Sequence, residues 1–292
     1  MGTPAVVLAD IDLAAPTVLL QWAVGGLLFL WITTRRREVG LGYGWLLRVT
    51  YAVIAAAAFG LGAAFDLVVV REVATVGVIV ACAVALVVSV QRRRAGVRGQ
   101  QEVEARRSAR VAAMTGIDRA EQRFDRSVPE FPPWLDLLAP AIGLVGLVAA
   151  GVDAGDPAAL SIARVVVGAA FLGVITDAML LGHWYLVQPG LPRAPIIELV
   201  RWAAAVWPFE LLVLLWPTGM VSVLNGSIDD GYNGLLGWFW VASAAATIVL
   251  IVTTRAALRE RQYSAVMAAT GLLYLAILTA FGMDLVARAT LA

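Results

Sequence analysis

One apolar stretch of the sequence, TDAMLLGHWYLVQPG at residues 176–190, combines two titratable side chains. It holds His183, the only histidine in the chain, and Asp177, an aspartate inside a long hydrophobic run. Histidine exchanges protons close to neutral pH, and an ionisable residue within a membrane span marks a functional site by default. The stretch therefore predicts proton or hydrogen-bond exchange with a ligand, provided that it lies in a membrane.

Further charges lie early in this hydrophobic run and throughout the next one: Arg164, Glu198, Arg201 and Glu210. The short connection VQPGLPRAP makes the two runs antiparallel neighbours. Matched by depth, Asp177 faces Arg201, and Arg164 faces Glu210. Because opposite charges lower each other's cost of burial, we predict an intramembrane ion pair between Arg164 and Glu210.

Three interpretations of His183 remain open. It is an interfacial residue beside Trp184 and Tyr185 in an aromatic belt, a proton donor or hydrogen-bond partner for a quinone-like carbonyl, or a metal or haem ligand. A bis-histidine haem is excluded, because the chain has a single histidine. We take these residues as candidates for ligand binding: Asp177, His183, Trp184, Tyr185, Glu198 and Arg201.

Composition places these residues in a membrane. The 292-residue chain is 61% hydrophobic and 15% charged, with a mean hydropathy of +0.83, whereas soluble domains are about half apolar and about a quarter charged. A run of about twenty apolar residues spans a bilayer as a helix. Eight such runs predict an all-α, polytopic bundle that forms a single domain over 1–292: 16–33, 44–65, 72–91, 134–152, 158–182, 196–217, 232–254 and 264–287.

Arginine sets the orientation, because the chain has no lysine. Alternate loops contain 17 of the 22 basic residues, and ten of these lie in 92–133, the loop between spans three and four. Cytoplasmic loops carry the excess of arginine. We therefore expect both termini outside, the arginine loops in the cytoplasm, and a location in the inner (cytoplasmic) membrane of a bacterium with a GC-rich genome.

Charges near the span ends have simpler roles. Arg48 is expected to reach the headgroups, and Arg71 is the single basic residue of the outer loops. Asp284 and Arg288, four residues apart, predict a local ion pair near the outer surface.

The sequence leaves function open among three classes. No nucleic-acid-binding motif and no catalytic motif is present, so the question of enzymatic activity stays open. In span count and in the placement of its termini, the layout resembles the quinol-handling membrane anchors of the DMSO-reductase and polysulfide-reductase type, with no shared motif. That resemblance implies a haem-free membrane subunit of a respiratory or electron-transfer assembly, which binds a quinone or lipid between spans five and six. The alternatives are a small-solute or ion transporter and a structural or assembly subunit. The expected partners are membrane lipids and other subunits of a membrane complex.

Overall fold

The computed structural model describes residues 14–95, 105, 108–109, 112–113, 116, 125, 127–155, 157–188, 190–217 and 219–291. Nine helices have described bounds: α1 (Ala15–Thr34), α2 (Leu41–Phe65), α3 (Val69–Gln91), α4 (Leu135–Asp153), α5 (Ala158–Val187), α6 (Ala194–Leu215), α7 (Gly219–Leu224), α8 (Leu235–Ala257) and α9 (Tyr263–Leu291). Residues 105, 108–109 and 112–113 are also helical. The described ranges contain no strand, so the predicted all-helical class is confirmed. Much of the predicted loop 92–133 lies outside the described residues.

The helices are those of a multi-pass membrane protein. Seven are long and apolar enough to cross a bilayer: α1, α2, α3, α4, α5, α8 and α9. The exception among the long helices is α6, which has 22 residues but carries Glu198, Arg201 and Glu210. Each of the eight predicted runs coincides with one long helix. The short helix α7 was not predicted.

The outward faces of the bundle are more apolar than a soluble protein allows. On α3, Val73, Val80 and Val87 recur at heptad spacing and are exposed, while Ala74 and Ala81 face inward. Soluble helices place their bulky apolar side chains inside. The reverse arrangement on α3 is the one expected of a helix surrounded by lipid.

Successive long helices run in opposite directions, so their connections gather at two ends. The arginine end comprises residues 35–40, 92–95, 190–193 and 258–262. There the guanidinium of Arg193 donates to the carbonyls of Glu260, Arg261 and Gln262. The opposite end comprises residues 66–68, 154–155 and 225–234. One cavity at that end is lined by residues from the start of α1 and the end of α9.

Helix α1 lies at the centre of the bundle. In its apolar stretch 72% of the residues are buried, compared with 33% in α2 and in α8. It packs most closely on α5, where Gly25 and Gly173 face each other, and a Cβ on either glycine would collide with the backbone of the other helix. Small residues permit such close helix approach in membranes. This crossing fixes α5 against the central helix.

The crossing predicts a strong effect of a single methyl group. Gly173→Ala should lower the free energy of unfolding by about 1–3 kcal/mol, because the added Cβ forces the two backbones apart. The matched control is Gly60→Ala on α2, where an added Cβ meets nothing within 4 Å. Thermal unfolding of both variants in one detergent measures the difference. Equal melting temperatures would contradict the close approach.

Candidate functional site

Asp177 lies in the bundle core and has no counter-ion among the described residues. Its side chain is 0% exposed. The Tyr51 hydroxyl donates to Oδ1, and the Tyr43 hydroxyl donates to the Asp177 backbone carbonyl at 3.3 Å. The other carboxyl oxygen, Oδ2, is buried without a hydrogen-bond partner. No described arginine lies within ion-pair distance. The site is therefore a buried carboxyl group held by tyrosine.

Three helices build this site. Tyr51 and Tyr43 come from α2, and the ring of Tyr51 occupies the space that a side chain at Gly26 of α1 would fill. Beside Asp177 on α5, the Thr176 hydroxyl accepts a hydrogen bond of 2.9 Å from the Trp22 indole of α1. We call Asp177, Tyr51 and Tyr43 the carboxyl–tyrosine cluster.

The cluster faces α2, and the depth-matched pairing of Asp177 with Arg201 does not occur. Arg201 is exposed and lines surface cavities with Arg36 and Glu198 on one side and with Arg255 on the other. Depth along a helix says nothing about the direction in which a side chain points. This is why two residues at similar depth on neighbouring helices do not meet.

The three consecutive candidates in α5 point in different directions. His183 is exposed, and its Nδ1 lies 3.0 Å from the Tyr274 hydroxyl. The Trp184 indole donates to the Gln188 side chain at 3.1 Å. Tyr185 is buried and donates to a carbonyl of the connection to α6. The structure does not bring these three side chains together, because successive residues of a helix lie about 100° apart; their role in ligand binding stays a prediction.

Glu198 ties α6 to the end of α1. Its carboxylate lies 2.6 Å from a guanidinium nitrogen of Arg35 and 3.3 Å from one of Arg36. The structure gives it these two partners at the arginine end, and no hydrogen bond joins it to His183 in the described part of the chain. Glu198 therefore serves a contact between α1 and α6.

The predicted ion pair between Arg164 and Glu210 is not formed within the described residues. Arg164 Nε instead donates to the Val213 carbonyl at 2.9 Å. Glu210 is fully buried, and its charged neighbours are Asp284 and Arg288. The predicted local pair between those two is confirmed, with two hydrogen bonds of 2.8 and 2.9 Å. The nearby arginine therefore comes from α9 and pairs with Asp284, whereas both carboxylate oxygens of Glu210 are buried without a hydrogen-bond partner.

A second buried ion pair closes the arginine end. Arg48 is 3% exposed and binds both carboxylate oxygens of Asp136 at 2.8 Å. The Thr34 hydroxyl, which donates to the Leu30 carbonyl at 2.9 Å, lies 3.4 Å from the same carboxylate, and the Arg48 guanidinium lies 4.9 Å from the centre of the Phe131 ring. The expectation that Arg48 reaches the headgroups is corrected, because a fixed anion on α4 holds it inside.

Arg71 is likewise internal. It is 2% exposed and binds the carboxylates of Asp66 and Glu72, with a further hydrogen bond of 3.2 Å to the Thr17 hydroxyl. The sequence predicted it in an outer loop. Asp66 precedes Arg71 in the chain and Glu72 follows it, and these two carboxylates permit the burial of Arg71 inside the bundle near the opposite end.

Buried polar contacts follow α1 from one end to the other. Thr17 accepts from Arg71, Gln21 donates to the Val165 carbonyl at 2.7 Å, Trp22 donates to Thr176, and the Thr34 hydroxyl lies 3.4 Å from the Asp136 carboxylate. From Thr17 to Thr34 the helix rises about 25 Å. A cavity of about 160 Å³ lies at the Thr17 end and one of about 90 Å³ at the Thr34 end. The carboxyl–tyrosine cluster lies between them.

Sequence reasoning missed Tyr43, Tyr51 and Asp136. No signal marked the tyrosines, since tyrosine in a span is ordinary. Asp136 had one: it lies in the first turn of span four, at the same end as Arg48 of span two. Matching depths between spans that are not adjacent in sequence would have paired these two residues.

No protein-family model matches this sequence. No curated protein and no solved structure matches it either. Its function is therefore inferred from the geometry of its own residues.

The Arg48–Asp136 contact predicts a measurable coupling. Arg48→Met leaves a buried carboxylate without its partner and should lower the free energy of unfolding by about 1–3 kcal/mol, at or below the range for soluble proteins because membrane contexts show less. The double change Arg48→Met with Asp136→Leu should recover most of that loss, because no charge is then stranded.

The matched control is Arg37→Met at the same end. Arg37 pairs with Glu130, and these side chains are 30% and 44% exposed, so the loss should stay below about 1 kcal/mol. Thermal unfolding in detergent measures the stability of the wild type, of Arg48→Met, of the double variant and of Arg37→Met. A double variant no more stable than Arg48→Met alone would show that the pair is not coupled.

Proposed function

We propose that the protein crosses the membrane eight times, with both termini outside and the arginine end in the cytoplasm of a bacterial cell. Helix α6 is the eighth span, since 22 residues rise about 33 Å, enough to cross the hydrocarbon core. Its charges support this, because Glu210 is buried in the bundle and Glu198 is paired at the arginine end. The excess of arginine at that end supports the orientation.

Two serine-to-cysteine variants test the orientation in a Cys82→Ala background. Ser227 is exposed at the opposite end and Ser264 at the arginine end. In intact cells an impermeant thiol reagent should label Ser227→Cys and leave Ser264→Cys unlabelled until the cells are opened. The reverse pattern would invert the topology, and labelling of both from outside would place them on the same side, with an even number of spans between them instead of the single span α8.

We propose further that the protein transports protons, with Asp177 as the group that binds the proton in the middle of the membrane. The observation that carries this proposal is a carboxyl group with no exposure and no counter-ion among the described residues, held by Tyr51 on one oxygen alone. A buried ionised carboxylate is costly unless it is paired. A neutral carboxylic acid needs no counter-ion, and this difference favours a group that gains and loses a proton.

The position of the cluster suits a central relay. Gly26, which touches the Tyr51 ring, lies nine residues from Thr17 and eight from Thr34, which are roughly 14 and 12 Å along α1. Thr17 lines the cavity at the opposite end, and Thr34 lines the cavity at the arginine end. Asp177 therefore lies about midway between two polar cavities at opposite ends.

The geometry supports one oxygen as the proton acceptor. Because the Tyr51 hydroxyl donates to Oδ1, Oδ1 acts as an acceptor in both protonation states. The unpartnered Oδ2 takes the proton from water that enters from one cavity and returns it to water on the other side. Alternate opening of the two ends toward Asp177 gives net transport, as in transporters with a central binding site.

Infrared spectroscopy of the purified protein in lipid films tests the protonation of Asp177. At neutral pH the wild type should show a carboxylic-acid carbonyl band that shifts in D₂O and disappears in Asp177→Asn. Tyr51→Phe should move this band, because Oδ1 loses its donor. Asp136→Asn is the control and should keep the band. A wild-type spectrum identical to that of Asp177→Asn in this region would exclude a protonated Asp177.

A second experiment measures proton transport by the purified protein in liposomes. The liposomes contain a trapped pH-sensitive dye, and a potassium diffusion potential drives proton movement. The wild type should move protons faster than empty vesicles, and Asp177→Asn should return the rate to the empty level. Equal rates for wild type and Asp177→Asn would refute transport through Asp177.

A second function is supported by a different cavity. About 560 Å³ of space lies beside α6, lined by Arg36, Glu198, Arg201 and Trp202 among others. Arginine and an aromatic ring suit the carbonyl and the face of a quinone. This supports a haem-free subunit of a respiratory assembly, with Glu198 and Arg201 as the ligand contacts.

The properties of the purified protein distinguish the two proposed functions. A protein that moves no protons alone but retains quinone and soluble electron-carrying subunits has the second function. A protein with neither property, whose loss lowers the amount of a membrane complex, has the structural role.

A further inference from the structure

Three arginines surround a cavity between α6 and α8 at the arginine end. The cavity holds about 280 Å³ and is lined by Ile197, Val200 and Arg201 from α6 and by Arg255, Leu258 and Arg259 from the end of α8 and the following turn. All three arginines are exposed. No described acidic residue lines this cavity, which is therefore positively charged.

These arginines differ from the others near the same end. Arg35 and Arg36 bind Glu198, and Arg37 binds Glu130. By contrast, no ion pair within the described ranges involves the three cavity arginines. Glu198 lies one turn before Arg201 in α6, but its carboxylate is already held by α1. Among the described residues, no acid occupies these three guanidinium groups, which can therefore donate to an external anion.

The walls of the cavity continue into an apolar surface. Ile197, Val200 and Leu258 line the cavity between the charges. One turn further from the arginine end, Val252 lies three residues before Arg255, hence on the same face of α8, and it is 58% exposed. A molecule bound here meets positive charge at the end of the bundle and exposed hydrocarbon beside it.

We infer that Arg201, Arg255 and Arg259 form a binding site for the phosphate headgroup of an anionic phospholipid. The guanidinium group presents paired N–H donors that match phosphate oxygens. Basic pockets between membrane helices on the cytoplasmic side bind such headgroups. A soluble phosphate compound shares the headgroup chemistry, but the adjoining exposed apolar surface favours a ligand with acyl chains.

The site lies between α6 and α8 at the arginine end, apart from the carboxyl–tyrosine cluster. It goes beyond proton transport, and its test requires no proton measurement. If the protein binds anionic lipid but moves no protons, the lipid site stands and proton transport is refuted. If it moves protons but binds no anionic lipid, proton transport stands and the lipid site is refuted.

Native mass spectrometry of the detergent-purified full chain tests the site with phosphatidylglycerol, and with phosphatidylcholine as the neutral reference. The triple variant Arg201→Ala, Arg255→Ala, Arg259→Ala should bind phosphatidylglycerol at least tenfold more weakly, since each basic residue near an anionic surface contributes about fivefold. Binding of phosphatidylcholine should not change. The single variant Arg255→Ala should lose about fivefold and serves if the triple variant does not fold.

The matched control removes the same charge outside the cavity. Arg93→Ala, Arg94→Ala and Arg261→Ala alter three residues at the same end that do not line this cavity. This variant should bind phosphatidylglycerol as the wild type does. Equal losses in the two triple variants, or no loss in the cavity variant, would overturn the site. Displacement of phosphatidylglycerol by millimolar inorganic phosphate would show that the site takes a soluble anion and would overturn the assignment to lipid.

Discussion

The close approach of α1 and α5 at Gly25 and Gly173 is the contact on which the bundle depends. Because neither residue has a side chain, the two backbones touch, and α1 becomes the central helix. The next residue along α1, Gly26, leaves space for the ring of Tyr51. That ring carries its hydroxyl to Asp177 on α5. Packing of small residues thus positions the polar group at the centre.

Lipid imposes a second constraint, because no solvent inside the bilayer satisfies a stranded polar group. Near the two ends, buried charges satisfy this constraint by forming complete ion pairs, Arg48 with Asp136 and Arg288 with Asp284. Asp177 is the contrast, since one of its oxygens has a partner and no described arginine lies within ion-pair distance of it. Glu210, whose two oxygens also have no hydrogen-bond partner, differs in having Arg288 as a charged neighbour. Paired charges hold helices together, whereas a carboxyl group without a counter-ion remains able to exchange a proton. This difference separates the structural charges from the proposed functional one.

Arginine serves three purposes in this chain, and burial distinguishes them. Arg48 is internal and bound to a carboxylate. Arg35 lies at the surface of the arginine end and links α1 to α6 through Glu198. Arg201 is exposed, lacks an anionic partner among the described residues and faces a cavity. An identical side chain therefore supports packing, a contact between helices, or recognition of an external anion, according to what the tertiary structure places opposite it.

The sequence by itself determined the class of the fold and the position of each long helix, because apolar runs of bilayer length have one stable conformation in lipid. It also determined the local pair of Asp284 and Arg288, since residues four apart on a helix are neighbours whatever surrounds them. Only the tertiary structure decided that Asp177 meets Tyr51 rather than Arg201. Hydropathy gives the depth of a residue in the membrane, but the rotation of each helix about its axis is set by packing against its neighbours. A small change in that rotation decides which side chains meet.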